Sequence, residues 1–260
     1  MMSAVLETAN EVQREAAVTA MKHFRSGLDV DLKSDESPVT AADLAIEFDA
    51  RARIEARFPG HAILGEEYGA GDLTKDHIWV IDPIDGTRSF ISGHPAFGFL
   101  LAYLESGHNQ LSMVSMPALN EIFVGQAGQG ATLNGTPISC SKKTDLSKAI
   151  LYINEGEKLF ADHPEIHKRL VKSGHTRRLA YDCYPHAMMA AGFVDCVVDY
   201  DLKPFDFLPL AGVIEAAGGT ITDWQGNTLD FNSDGRVVSA ATPELHRDLL
   251  DILSSNDPNA

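Results

Sequence analysis

The hydrophobic rhythm of the chain changes once, and that change limits the folds open to it. Up to about residue 133 apolar and polar residues alternate, and 97–104, 110–116 and 121–125 read as strands separated by turn signals at Ser106-Gly107-His108-Asn109 and Ala118-Leu119-Asn120. Alternation of period two broken by such turns is the pattern of an antiparallel meander, and Asn134-Gly135 marks one more tight turn. After Lys142-Lys143 strand-like runs (149–153, 177–181, 193–199) alternate with helix-like ones (158–172, 185–191, 207–217), followed by short strands at 220–222 and 237–240 and a helix opened by Thr242-Pro243. The fold class is therefore α/β: an α+β half over residues 1–140 and an α/β half over 141–260, with no flexible linker between them, so that they pack as one unit.

Two helices are expected before any strand. Leu6, Ala9, Val12, Ala16, Ala20 and Phe24 recur at helical spacing over 3–26, and a polar loop follows. Thr40-Ala41-Ala42-Asp43 has the form of a capping box and opens a second helix that Pro59-Gly60 ends. Residues 61–65 and 77–82 are short apolar runs that finish in acidic residues, as strands do whose ends open into a site.

Charge narrows the function. Over 260 residues, 21 basic and 37 acidic side chains give a formal net charge of −16, which argues against a nucleic-acid backbone or a membrane surface as partner. No apolar run approaches the ~18 residues of a membrane span, and the start, MMSAVLETANEVQRE, has no basic or apolar leader pattern, so a cytoplasmic, soluble protein is expected. Cys140, Cys183 and Cys196 are odd in number and far apart, which fits small buried hydrophobes or free thiols and neither a disulfide framework nor a zinc knuckle.

The chemistry concentrates in Trp79-Val80-Ile81-Asp82-Pro83-Ile84-Asp85-Gly86-Thr87. A strand delivers two carboxylates around a proline that stops it, and Gly86 lets the amides of Gly86 and Thr87 turn towards the same point. Oxygen-only ligands favour Mg²⁺ or Mn²⁺ over zinc, while the amides suit phosphate oxygens. Glu66 ends the preceding strand and can reach across to this one, whereas Glu67 points the other way. Asp206 stands at the start of the helix over 207–217, where an ordinary N-cap is the competing reading, with Pro209 in the first turn and Gly218-Gly219 as the stop. His163-Pro164-Glu165-Ile166-His167 lacks the H-E-x-x-H order of a zinc pair and reads as a solvated helix start.

Several motifs in one order make the chain resemble the inositol monophosphatase family, which includes fructose-bisphosphatase-like enzymes. They are Lys33, Ser37-Pro38-Val39-Thr40-Ala41-Ala42-Asp43, Gly65-Glu66-Glu67, Asp82-Pro83-Ile84-Asp85-Gly86-Thr87, Leu133-Asn134-Gly135, and Asp206 before a helix ending in Gly-Gly. The resemblance implies a layered αβαβα sandwich and two or three Mg²⁺ ions, with Mn²⁺ as a substitute, held by Glu66, Asp82, the Ile84 carbonyl, Asp85 and Asp206, Asp82 bridging. It implies that Glu66 and Thr87, with Asp43 behind Thr87, orient and activate the attacking water, that the amides of Gly86 and Thr87 cradle the phosphate beside Asp85 and Asp206, and that the protein is a homodimer. The reaction implied is metal-assisted in-line displacement on a phosphomonoester, a small-molecule substrate.

Within the family the chain departs from the inositol phosphatases. Phe205-Asp206-Phe207-Leu208 replaces their Trp-Asp motif, and Asp182-Cys183-Tyr184 stands where they carry small residues. Both features resemble the histidinol-phosphate phosphatases of the superfamily, which implies hydrolysis of L-histidinol phosphate in histidine biosynthesis, with inositol monophosphate as the alternative. Asp182 and Asp199 are candidates to meet the ammonium or imidazole of that substrate, against helix capping or solvated strand ends. Arg178 either binds phosphate, balances these acids, or is a surface residue.

Overall fold

The computed structural model describes residues 2–26, 30–32 and 38–254, with the backbone alone for 30–32, 38 and 39. Lys33 and Ser37 of the N-terminal motif lie outside the described residues. The chain runs α1 (Met2–His23), β1 (Val30–Leu32), β2 (Pro38–Thr40), α2 (Ala41–Arg57), β3 (Ala62–Gly65), β4 (Gly69–Ala70), β5 (His77–Asp85), α3 (Thr87–Ile91), β6 (Gly98–Glu105), β7 (His108–Met116), β8 (Glu121–Gln126), β9 (Gly130–Leu133) and β10 (Thr136–Ile138). It continues with β11 (Ile150–Asn154), α4 (Gly156–Asp162), α5 (Pro164–Leu170), β12 (Thr176–Ala180), α6 (Tyr184–Ala190), β13 (Cys196–Asp199), α7 (Pro204–Ala216), β14 (Thr220–Asp223), β15 (Val237–Ala240) and α8 (Pro243–Ser254).

Two sheets form. One has the order β10-β9-β8-β7-β6-β5-β3-β4 and is antiparallel from β10 to β5, the expected meander, with β3 parallel to β5. The other has the order β12-β11-β13-β15-β14, parallel at β12-β11-β13 and antiparallel beyond. Alternate residues of β5 serve different layers. Trp79 and Ile81 pack with α1 and α2, while Ile78 and Val80 join a core that includes Phe207, Leu210 and Val213 of α7 and Val197 and Val237 of the second sheet. The far face of that sheet, Leu151, Ile153 and Val198, packs on Leu159, Ile166, Leu170, Leu245 and Leu249 of α4, α5 and α8. The layers thus stack α-β-α-β-α. Both faces of β5 are buried, which explains its nearly unbroken apolar run, and each such large side chain contributes about 1.5–3 kcal/mol on burial.

Two glycines set the depth of α7. A Cβ on Gly212 would stand 2.1 Å from Ser112 Oγ, and one on Gly125 would stand 2.5 Å from the Gly212 carbonyl. Only bare backbone lets this helix sit against β7 and β8 and bring Asp206 level with the end of β5.

Four local expectations change. The short hairpin β1–β2 lies between the first two helices, so they do not both precede every strand. The helix expected over 158–172 is two helices, because Pro164 cannot continue α4 and starts α5 instead. His163 at this joint is buried edge-on against Tyr200 and Trp224, not solvated. Helix α7 begins at Pro204, which puts Asp206 at its third position and Pro209 inside the helix rather than in its first turn. The three cysteines are free and buried. No described helix is long and apolar enough to cross a membrane.

Candidate active site

The ends of β3, β5 and α7 meet in an acidic floor. Pairing of Gly65 with Ile81 in the parallel ladder, extended by a Glu66 N–H to Ile81 carbonyl bond of 3.3 Å, sets Glu66 beside Asp82. At Pro83 the β5–β6 register slips between Asp82 and Asp85, and this irregularity turns both carboxylates to one side. Asp206 arrives from α7, where its Oδ2 accepts a 2.7 Å bond from the Lys203 amide. Among the described residues, Asp82, Asp85 and Asp206 form a metal-capable group whose ligand atoms lie within 4.8 Å of one another.

The floor is electrostatically uncomfortable by itself. Burial, then repulsion from Glu66, Asp85 and Asp206, pushes Asp82 well above the usual carboxylate range. Asp85 is raised by burial and then by Asp182 and Asp206, although the Cys183 amide donates to its Oδ2 at 2.6 Å. Burial raises Asp206 to about 7. Asp82 Oδ1 is buried with no hydrogen-bond partner among the described residues. Such an atom is costly unless a cation or proton meets it. All side-chain donors being oxygen, the set fits a hard divalent cation such as Mg²⁺ or Mn²⁺.

Beside the floor the chain turns sharply. Gly86 is left-handed, with φ 80°, and starts α3. A side chain there is barred twice, by this backbone and by the Asp182 carboxyl carbon 2.6 Å from where its Cβ would stand. The next residue, Thr87, places its hydroxyl 3.1 Å from the Ile84 carbonyl and 3.5 Å from Asp43 Oδ1. The other oxygen of Asp43 is saturated by the Thr40 amide at 2.9 Å and the Thr40 hydroxyl at 2.5 Å. The capping box of α2 therefore also locks the acid behind Thr87, and burial raises the pKa of that acid.

Two adjoining cavities cover this floor. One, of about 330 Å³, is lined by Glu66, Asp82, Ile84, Asp85, Gly86, Thr87 and Asp206, among others. A second, of about 210 Å³, shares Glu66, Asp85, Gly86 and Thr87 and adds Arg88, Glu155, Asp182 and Asp199. The structure thus brings together all the sequence-predicted residues but Asp43, one contact behind, and Arg178. Arg178 is exposed on β12 and lines an outer cavity of about 760 Å³ that reaches Asp182 but not the floor.

The two candidate acids of the second half differ. Asp182 has a left-handed backbone, φ 62°, and accepts from the Ser89 hydroxyl at 2.6 Å. Asp199 is only 2% exposed, and its carboxylate is taken by Asn154 Nδ2 at 2.6 Å, His186 Nε2 at 3.0 Å and the Tyr200 amide at 2.8 Å. Asn154 also donates to the Asp182 carbonyl at 3.0 Å, and His186 Nδ1 lies 3.0 Å from Ser239 Oγ.

These supports, and also Glu47, stand outside the sequence-predicted residues. The fully buried Glu47 accepts the Glu67 and Tyr68 amides at 2.7 and 3.2 Å and the Arg51 guanidinium at 2.8 Å, so it holds the turn that carries Glu66. A signal existed, because Glu47 falls on the apolar stripe with Ile46, Ala50 and Ile54.

Comparison with known proteins agrees with this geometry. The profile of the inositol monophosphatase family matches residues 1–257. A protein described as bifunctional phosphatase IMPL2, chloroplastic, from Arabidopsis thaliana is 39% identical over 89% of this chain and 70% of its own length. A histidinol-phosphatase from Chlorobaculum parvum is 32% identical over 98% of this chain and 99% of its own. Among solved structures, an inositol monophosphatase from Zymomonas mobilis superposes with a TM-score of 0.87 at 33% identity, covering 96% of this chain and 98% of that one. The layered sandwich, the motifs and these relatives together establish that the chain belongs to the inositol monophosphatase family of phosphatases.

Proposed function

We propose that the protein is a divalent-cation-dependent phosphomonoesterase that hydrolyses L-histidinol phosphate to L-histidinol and phosphate. Glu66, Asp82, the Ile84 carbonyl, Asp85 and Asp206 would hold two or three Mg²⁺ ions. When bound, these lower the pKa of a nearby water and offset the charge of the phosphoryl group. The first amides of α3, at Gly86 and Thr87, have no acceptor within the helix, and both residues line the same cavity, which suits phosphate oxygens.

Thr87 has one hydroxyl proton to give. When it goes to Asp43, the lone pairs of Thr87 Oγ turn to the cleft and orient the attacking water together with Glu66. The 3.5 Å separation is long, as such bonds are before substrate tightens them. Asp199 acts as a positioning residue in this reading, because its three donors leave it to fix Asn154, and through it Asp182, rather than to meet substrate.

The observation that carries the substrate choice is Asp182, a partly exposed carboxylate held by Ser89 against Gly86, one bond network away from the phosphate seat. An ammonium group gains most from such an acid. The histidinol-phosphatase from Chlorobaculum parvum supports the same choice. Inositol monophosphate is the second reading, since carboxylates also accept hydroxyl protons and the Zymomonas mobilis enzyme is as similar. Phosphate release from histidinol phosphate, inositol 1-phosphate, fructose 1,6-bisphosphate and adenosine 3′,5′-bisphosphate, each with Mg²⁺, decides between them. Histidinol phosphate should give the highest kcat/KM, and equal or faster turnover of inositol phosphate defeats the assignment. The family resemblance implies a homodimer, which sedimentation of the purified protein tests.

A further inference from the structure

The inner cleft and the 760 Å³ outer cavity meet at three residues, Arg88, Glu155 and Asp182, which line both. Asp182 already has a partner in Ser89. Glu155 has none: its carboxylate makes no hydrogen bond or ion pair with any described residue, and neither does the Arg88 guanidinium. The Glu155 backbone is nonetheless firmly placed, because it directly follows Asn154, which is fully buried and tied to both Asp182 and Asp199.

Local structure gives no reason for a glutamate at this position. Its backbone is left-handed, φ 45° and ψ 39°, where glycine or asparagine is preferred. It occupies the N-cap of α4 without making a side-chain cap bond, and glutamate is not among the good caps. Burial and the nearby Asp199 raise its pKa, which Arg88 partly opposes without closing to an ion pair. A half-buried, unpaired carboxylate at the junction of two cavities, kept in a strained conformation, is what a cation receptor requires.

We propose that Glu155 joins Asp182 in reading the cationic end of the substrate, pairing its carboxylate with the ammonium group of an amino-alcohol phosphate whose phosphate lies between Arg88 and the Gly86–Thr87 turn. This rests on the histidinol phosphate reading and assigns the charge selectivity of that site. Glutamine at 155 keeps the hydrogen-bonding reach needed for a hydroxyl but lacks the charge an ammonium needs. Glycine removes both and relieves the left-handed backbone.

The test compares kcat/KM for histidinol phosphate with that for its deaminated analogue, the same imidazole ester without the amino group, in wild type, Glu155→Gln and Glu155→Gly. Wild type should prefer the amine-bearing ester, and in both variants the preference should fall about 10- to 100-fold, mainly through KM, since a charge-assisted bond is lost. Glu155→Gly should keep or raise Tm, which separates lost recognition from lost fold. An unchanged preference in the variants, or an equal fall for both esters, overturns this proposal while histidinol phosphate stands as substrate. A wild type that does not turn over histidinol phosphate overturns the substrate reading and this proposal together.

Discussion

The floor of the cleft and its far wall are both acidic, yet they are built on opposite principles. On the floor, Asp82, Asp85 and Asp206 crowd together with pKa values raised above all by burial, those of Asp82 and Asp85 also by neighbouring carboxylates, and Asp82 Oδ1 has no hydrogen-bond partner among the described residues. In the wall, Asp199 is just as buried but has three donors, and no shared burden with a second carboxylate in hydrogen-bond contact. Burial therefore does not distinguish a ligand carboxylate from a structural one. Hydrogen-bond saturation does, because an unsatisfied buried anion is tolerated only where something outside the chain completes it.

The largest expected effects break the floor. Asp82→Asn should lower kcat at least about 100-fold, the ~3 kcal/mol scale of a single electrostatic stabiliser, in a phosphate-release assay. The same change removes a repelled charge, so the metal-free Tm should rise rather than fall. Next comes Thr87→Ala, which deletes the hydroxyl proposed to orient the attacking water in front of Asp43. A fall in kcat of about 10²-fold with little change in KM is expected, and Thr87→Ser should restore most of it. Near wild-type kcat in Thr87→Ala removes Asp43 and Thr87 from the chemistry.

Changes in the wall should act on stability first. Asp199→Asn strands part of the network of Asn154, His186 and Tyr200 and should cost about 1–3 kcal/mol, read as a lower Tm at every Mg²⁺ concentration. If it abolishes turnover without lowering Tm, Asp199 meets substrate and the wall is not merely structural.

The smallest effect is a pH dependence. Asp82, Asp85 and Asp206 have folded-state pKa values above their unfolded ones, that of Asp206 being about 7. Between about pH 4 and about pH 7 the folded state thus holds more protons than the unfolded state, and stability from these groups falls as pH rises through that window. Divalent cations compete with those protons, so the gain in Tm on adding Mg²⁺ should grow from about pH 5 to about pH 8. A gain independent of pH places the cation elsewhere.

Much of this was legible in the residues. The meander, the later strand–helix alternation and the Asp82–Thr87 turn all carry their signals within a few positions, and the capping box at Thr40 revealed the helix that fixes Asp43. What stayed hidden depends on partners far along the chain. Asn154 and His186 look like isolated polar residues in apolar runs until the second sheet brings Asp199 between them. Similarly, Glu47 gains its meaning from a turn some twenty positions away, at Glu67 and Tyr68. Arg178 shows the limit of sequence proximity: the edge strand β12 carries it to the outer cavity, which Asp182 also lines, and not to the acidic floor. Helix α7 starts earlier than its sequence suggests, because Pro204 and not Pro209 occupies the first turn.

The central claim is that the floor, and not the wall, holds the divalent cations. Calorimetric titration of Mn²⁺ into wild type, Asp82→Asn and Asp199→Asn tests it directly, with Mg²⁺ as competitor. Wild type and Asp199→Asn should bind Mn²⁺ with similar affinity and Asp82→Asn should lose that binding. Unaltered Mn²⁺ binding in Asp82→Asn, or its loss in a folded Asp199→Asn protein, would contradict the account.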